Sequence, residues 1–447
     1  MAIAGLIGLA VLAVGRTRLF TEEGRYRRTL ALLLAGVVGT GILLVAFVPT
    51  IPFSDFASYL KLACRFATGE PLPPVENARF FQAWGYPVAL APFMAMFGNP
   101  LLVAKVLNIV MGCGSLLLLV AVATRAAGRR VGLLTGLLFL AWPARVLLVT
   151  VVASEHLALL LTLACMLCLI RVLDGRGHPW RWALLAGVFG AASAAVRPAS
   201  GVSLPAGVLA ILLTRSADDT FRARLARVAC VVAGFVVTTL IYLASLHAIY
   251  GRTPPAVAWW SLMAGTNAQT NGMWNREDIR RFGSYADLGE ANRFARQEAL
   301  RRITADPAGY LRLVCRKVRV LWETIDPNCA LAKLEPSRVS GWLEHHRGHI
   351  WGGAQFLHVG GLILALVGLG LVWRQGLSPG MALLLLLTLG GTAVHAVFET
   401  QARYHYVFAV TLLILGACAI DGARGLGGLK RVRMIIQCKD RSADWPE

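Results

Sequence analysis

Two carboxylates in this sequence occupy positions where they could handle protons at a membrane–water boundary. Asp55, in PFSDFASY, follows directly on a long apolar run, and Glu155, in VVASEHLALL, directly precedes another. A carboxylate so placed can accept a proton from a hydroxyl on the wet side while an apolar or lipid-borne group approaches from the other. Each also has a plainer reading, as an interfacial anchor or a helix N-terminal residue. Arg197, in AAVRPASG, and Arg403, in FETQARYHY, fall in turns between apolar stretches. A guanidinium there needs a counter-charge or a phosphate, or must snorkel to the head groups. Lys105, towards the end of its own apolar stretch, is a further candidate for holding phosphate.

Other reactive residue types carry less. His345, His346 and His349, with Glu344, are too loosely spaced to define a metal site, so no metal ligand is assigned. No cofactor is implied, and a divalent cation is left open. Cys165 and Cys168 form a C-x-x-C inside LACMLCLI, where thiols behave as small apolar residues. Spacing alone leaves open a disulfide among Cys64, Cys315 and Cys329. The chain contains no G-x-x-x-x-G-K-[ST], no G-x-G-x-x-G before a helix and no G-x-S-x-G, so neither a nucleotide-driven pump nor a serine hydrolase is supported.

The elements that must position these residues are membrane helices. Hydrophobic residues make up 57% of the 447 and charged residues 15%, against roughly half and a quarter in a soluble domain. The mean hydropathy is +0.62. Lipid accepts this excess, and in lipid a chain with long unbroken apolar runs satisfies its backbone as helices. The runs lack the alternation of an outer-membrane barrel. The net charge of +20 would suggest nucleic acid in a soluble protein. Here the arginines cluster at the ends of apolar runs and set topology, so no nucleic-acid partner is expected.

An all-α polytopic membrane protein follows, with spans near 29–50, 100–123, 131–149, 156–173, 182–197, 200–214, 228–246, 351–373, 380–397 and 404–421. These make about ten transmembrane helices, or eleven if residues 1–15 also cross. The organisation expected is an N-terminal apolar and basic segment (1–28), a transmembrane module (29–246) with its first outer loop at 51–99, a long extracytoplasmic segment (247–350), C-terminal transmembrane helices (351–421) and a basic cytoplasmic tail (422–447). Arg16, Arg18, Arg25, Arg27 and Arg28 place the N-terminal stretch in the cytoplasm, and later basic loops alternate in step. Asp55, Glu155, Arg197 and Arg403 then share the outer face of a plasma (inner) membrane, towards the periplasm or exterior. Residues 88–97 read as a surface or re-entrant helix, and 308–322 as an amphipathic helix at the membrane surface. The long outer segment shows no core of its own.

On this topology SDFASY (54–59), GYPVALAP (85–92), AKVLN (104–108), WP (142–143), SEHLALLL (154–161), RPAS (197–200), AGTNAQTNGMWN (264–275), DPAGYLRLVCRKVRVLW (306–322) and ARYHYVFAV (402–410) follow in an order that resembles the GT-C membrane glycosyltransferases. The likeness is to the protein O-mannosyltransferase and aminoarabinose-transferase branch. It implies a catalytic carboxylate in the first outer loop, matched by Asp55, and a second acid in the next, matched by Glu155. It implies a polyprenyl-phosphate-linked sugar as donor and a long outer segment that shapes the donor and acceptor cavities. The expected function is transfer of a hexose or pentose from that donor to an acceptor hydroxyl, with inversion. Asp55 would act as base, Glu155 would orient the acceptor or assist a cation, and Arg197, Arg403 and Lys105 would neutralise phosphate. The residue after Asp55 is Phe56, where many protein mannosyltransferases have Glu, which weakens the case for a protein acceptor. The acceptor is left as glycan, lipid or protein. The alternatives are a transporter or flippase of lipid-linked sugar and a non-catalytic scaffold of an envelope complex.

Overall fold

The computed structural model describes residues 23–71, 84–175, 177–214, 220–250, 258–325 and 331–423. The apolar segment 1–15, Cys329 and the tail from 424 onward lie outside the described residues. The chain is helical throughout, and the one pairing of extended backbone is an isolated antiparallel bridge between Thr50 and Leu334 among the described residues.

The helices in chain order are α1 (Glu23–Phe47), α2 (Ser54–Thr68), α3 (Gly85–Met96), α4 (Pro100–Ala127), α5 (Arg129–Ala141), α6 (Pro143–Leu148), α7 (Glu155–Leu173), α8 (Pro179–Val196) and α9 (Ser203–Leu213). There follow α10 (Phe221–Tyr250), α11 (Ala258–Gly265), α12 (Arg276–Gly283), α13 (Leu288–Ala305), α14 (Pro307–Glu323), α15 (Arg338–His345), α16 (Arg347–Gln375), α17 (Pro379–Val397) and α18 (Val410–Ala423). Six of them, α1, α4, α7, α10, α16 and α17, are long and apolar enough to cross a membrane. The window of greatest hydropathy is 61% buried in α7 and 50% in α4, but only 11% in α10 and 17% in α1 and α16. The first two therefore form the centre of the bundle, and the last three turn apolar side chains such as Leu43, Ile241 and Phe356 outward, as a lipid-facing helix does.

Of the ten expected spans, 131–149 is broken and 200–214 and 404–421 are shortened by 3-10 turns. The stretch 131–149 is not one helix: it breaks at Trp142, whose backbone is extended, before Pro143 opens α6. Proline cannot continue the hydrogen-bond ladder and disfavours a helical residue before it. Arg145 is buried at the break. Its Nε donates to Phe139 O at 3.1 Å and its Nη2 to Leu140 O at 2.9 Å, satisfying carbonyls that α5 leaves open. The expected spans at 182–197, 200–214 and 404–421 are α8, a 3-10 turn (Pro198–Val202) leading into α9, and another (Ala402–His405) ahead of α18.

Small residues let the helices approach closely, the usual device where lipid removes the hydrophobic drive between them. A Cβ on Gly187 of α8 would meet the backbone of Val231 and Phe235 on α10, and one on Gly234 of α10 would meet the backbone of Leu184 on α8. The two glycines make one reciprocal contact.

The outer segment does gather a core. Trp260 of α11 and Phe282 of α12 pack on Ala291, Ala295 and Ala299 of α13, all nearly fully buried. The alanines recur every four residues on one face. Among the arginines of α13 so small a stripe does not register as a hydrophobic pattern. Asn275, Asp287 and Asp306 cap α12, α13 and α14 by accepting from backbone amides.

The glycine contact gives a test of the packing. Gly187→Val should force α8 from α10 and lower stability by about 1–3 kcal/mol, seen as a lower melting temperature of the detergent-solubilised protein. Gly128→Ala is no fair control, because Gly128 has φ 98°; Gly361→Ala, with nothing within 4 Å of its Cβ position, should leave melting unchanged.

Candidate active site

Asp55, Glu155, Arg197 and Arg403 come from four distant parts of the chain and meet. Glu155 stands in the first turn of α7 with 1% of its side chain exposed. Its Oε1 lies 2.7 Å from Arg197 Nη1 and 3.9 Å from Arg403 Nε. Arg403 in turn donates from Nη2 to Asp55 Oδ2 at 3.3 Å. The order is thus guanidinium, buried carboxylate, guanidinium, half-exposed carboxylate. Only Asp55, 52% exposed, reaches well out of the protein; the side chains of Arg403 and Arg197 are 12% and 18% exposed.

The local structure explains these placements. Asp55 does not cap its helix: α2 starts after Phe53 with no side-chain cap. Ser54 has φ 49°, a left-handed conformation that costs a residue with a Cβ on the order of 1 kcal/mol or more and is often found at functional sites. Nor does Ser154 cap α7; its Oγ accepts from Arg197 Nη1 at 3.3 Å. Arg197 follows the last turn of α8, and Pro198 stops the helix there. Arg403 lies in the 3-10 turn between α17 and α18.

Aromatic rings hold both guanidiniums. Arg197 sits 5.0 Å from the centre of the Tyr404 ring, and Arg403 lies 5.0 Å from the Phe56 ring and 5.7 Å from the Tyr404 ring. Such contacts strengthen as water is excluded. Tyr404 donates to Glu399 Oε1 at 3.2 Å, and Gln401 Nε2 donates to the same oxygen at 2.8 Å. Burial pushes the Glu399 carboxyl above the usual carboxylate range. Tyr59, half-buried on α2, lies edge-on to the buried Tyr86, and burial raises its phenol. Phe56, Tyr59, Tyr86, Glu399 and Tyr404 carry no sequence signal of their own. For all but Tyr86, closeness in sequence to Asp55 or Arg403 is the one clue.

Lys105 does not join the group. It is buried and its Nζ donates to Thr50 O at 3.2 Å, beneath the start of the first outer loop. Its position near a helix end, from which a phosphate role is expected, does not reveal that a neighbouring carbonyl already occupies it. In the histidine cluster His346 stacks on Trp342 at 4.4 Å and its Nδ1 is 2.9 Å from Trp342 O. Among the described residues no three His, Cys, Asp or Glu side chains are grouped to hold a metal ion.

A clamp from the outer segment sets the loop that carries Arg403. Glu399 N donates to Ser261 O at 2.9 Å and Thr400 N to Gly272 O at 3.1 Å. Gly265 abuts the backbone of Phe398, where a Cβ would come within 2.5 Å of its carbonyl carbon. Lys317 of α14, fully buried, donates from Nζ to Gly265 O at 2.9 Å and to Val397 O at 2.8 Å. Among the neighbouring arginines of an amphipathic helix Lys317 reads as a surface cation; it is an internal tie.

Residues 83–242 match the family model described as dolichyl-phosphate-mannose-protein mannosyltransferase. The matched stretch holds Glu155 and Arg197 but neither Asp55 nor Arg403. Among solved structures the chain is similar to the oligosaccharyltransferase of Archaeoglobus fulgidus in the apo form, with 12% identity and a TM-score of 0.55 over 92% of this chain and 52% of that one. It is similar also to the same organism's AglB in complex with an inhibitory peptide and a dolichol-phosphate, with 13% identity and a TM-score of 0.52 over 94% and 52%. ArnT from Cupriavidus metallidurans bound to undecaprenyl phosphate superposes more loosely, with a TM-score of 0.40 at 15% identity over 88% and 77%. No curated protein sequence matches. The chain spans about half the length of the archaeal oligosaccharyltransferases it matches. Over residues 83–242 the chain thus matches a mannosyltransferase family model, and its fold is similar to that of the archaeal oligosaccharyltransferases.

Lys317 offers a pH test of the clamp. Burial pushes its ammonium down to about 7, from an ordinary 10.5. Between those values the unfolded chain binds a proton that the folded protein does not, so stability rises with pH across that window. Lys317→Met should lack this rise, so the wild-type-minus-variant difference in melting temperature should grow with pH across that window. At pH 9 the variant should be the less stable, having left two buried carbonyls without a donor.

Proposed function

We propose that the chain is a glycosyltransferase that moves a monosaccharide from a polyprenyl-phosphate donor to an acceptor hydroxyl, at the extracytoplasmic face of the plasma membrane. One observation carries the reading: an accessible carboxylate, Asp55, lies 3.3 Å from a guanidinium, Arg403, that is itself held by a buried carboxylate. A base for a hydroxyl and a cation for a phosphate stand side by side.

The chemistry of such a donor needs those two things. Its leaving group is a phosphate monoester, stable as an anion, so no strong acid has to protonate it. Asp55 accepts the proton of the attacking hydroxyl. Arg403, with Arg197 behind it, meets the charge that develops on the departing phosphate. In the resting protein Asp55 and Arg403 pair with one another. A phosphate that takes Asp55's place on Arg403 frees the carboxylate for the hydroxyl, so donor binding itself prepares the base. One displacement inverts the anomeric centre. Glu155 touches neither sugar nor phosphate in this scheme; it fixes both guanidiniums. The lipid tail keeps the donor in the membrane, and no nucleotide-binding fold is needed.

The test uses full-length protein in nanodiscs, a radiolabelled polyprenyl-phosphate sugar and membrane-fraction acceptors. Asp55→Asn should keep its melting temperature, since the side chain is half-exposed, and lose transfer by about 100-fold or more. Transfer at the wild-type rate by Asp55→Asn would remove Asp55 as the base.

A further inference from the structure

The outer segment holds a polar cleft of about 630 Å³, between the Thr266–Thr270 loop and helices α12, α13 and α14. Its volume falls within the range of small-ligand sites. The floor is built in advance. Asp278, 1% exposed, accepts from Asn267 at 3.0 Å, Asn275 at 2.9 Å and Arg302 at 2.7 Å. Glu298 accepts from Arg301 at 2.8 Å and from Arg302 at 2.9 Å. These carboxylates are spent on the protein's own donors. The rim differs. Arg316 is exposed with no ion-pair partner among the described residues. Arg312, also exposed, has only Asp306 at 3.6 Å, which is beyond hydrogen-bond distance. The Gln269 side chain is exposed at the same rim. Glu277 and Asp306 also line the mouth, but the five arginines of the cleft still exceed its four carboxylates by one.

The cleft is also wired to the candidate active site. Tyr310, in its wall, donates to Val397 O at 3.4 Å, and Lys317 one turn pair further along α14 donates to the same oxygen. The chain runs from Val397 directly into Glu399 and Arg403. A molecule lodged against Tyr310 and Arg316 thus presses on the helix that sets the Arg403 loop.

We propose that this cleft binds the acceptor, and that the acceptor is a glycan bearing a negative charge, held by Arg312 and Arg316 with its hydroxyls on Gln269 and neighbouring amides. The inference rests on the transferase reading, because only an acceptor gives a ligand a reason to lie beside that loop. Planar guanidiniums match a carboxylate or phosphate in a way that a neutral sugar cannot use. Amides and hydroxyls around them suit a polyol.

The experiment measures binding by isothermal titration to the full chain in nanodiscs of zwitterionic lipid, with tetragalacturonate and its methyl-esterified, uncharged counterpart as probes. Tetragalacturonate should bind about tenfold tighter than the ester, and an Arg312→Gln/Arg316→Gln variant should lose the preference while keeping its melting temperature. Equal binding of the two probes, or a preference that survives the double substitution, overturns the proposal. So does tighter binding by dioctanoyl phosphatidylglycerol in competition, which assigns the cleft to a lipid head group. No transfer is needed for the measurement, so a protein that prefers the acid yet transfers no sugar contradicts the transferase reading alone.

Discussion

The carboxylate of Glu155 is buried between Arg197 and Arg403, and the arrangement of the candidate site depends on it. Removing a carboxylate from water costs several kcal/mol, which one ion pair repays only with good geometry. Two guanidiniums, each also laid on an aromatic ring, supply more than one pair does. The converse matters more. Without Glu155 the two cations would repel one another in a poorly hydrated place. The pairing is best seen as a device of position. It ties the start of α7, the end of α8 and the turn before α18 to a single point, and leaves Arg403 a second face, turned to Asp55.

The outer segment completes this from the other side. Backbone donors from Glu399 and Thr400, the bare Gly265 and the ammonium of Lys317 fix the chain between α17 and the Arg403 turn against α11 and α14. Arg403 is therefore set twice, by a charge from within the bundle and by a clamp from outside it. An outer segment that only covered the membrane face would not need such a tie, nor a polar cleft in the clamp's wall.

The site was more legible in the sequence than the span pattern. Asp55, Glu155, Arg197 and Arg403 stand out because a charge at the edge of an apolar run is costly without a partner, and all four fall on one side once basic loops set the topology. Lys105 satisfies the same criterion and is spent on the Thr50 carbonyl, since composition says where a cation lies along the membrane normal but not what it bonds. The stretch 131–149 is broken for a reason present in the sequence, Trp142-Pro143, which a hydropathy window averages away. The second core was hidden because alanines at 291, 295 and 299 are apolar without being large. Lys317 was hidden because a helix read as lying on the membrane surface has no inner face for it.

A cryo-electron microscopy map of the full-length protein with polyprenyl phosphate bears most directly on the claim that these charges form a phosphate site beside a base. The phosphate should lie within about 3 Å of Arg403, with Asp55 released from that guanidinium and Glu155 still paired to Arg197. Phosphate density at any other basic patch, with the Asp55–Arg403 pair intact, would contradict it.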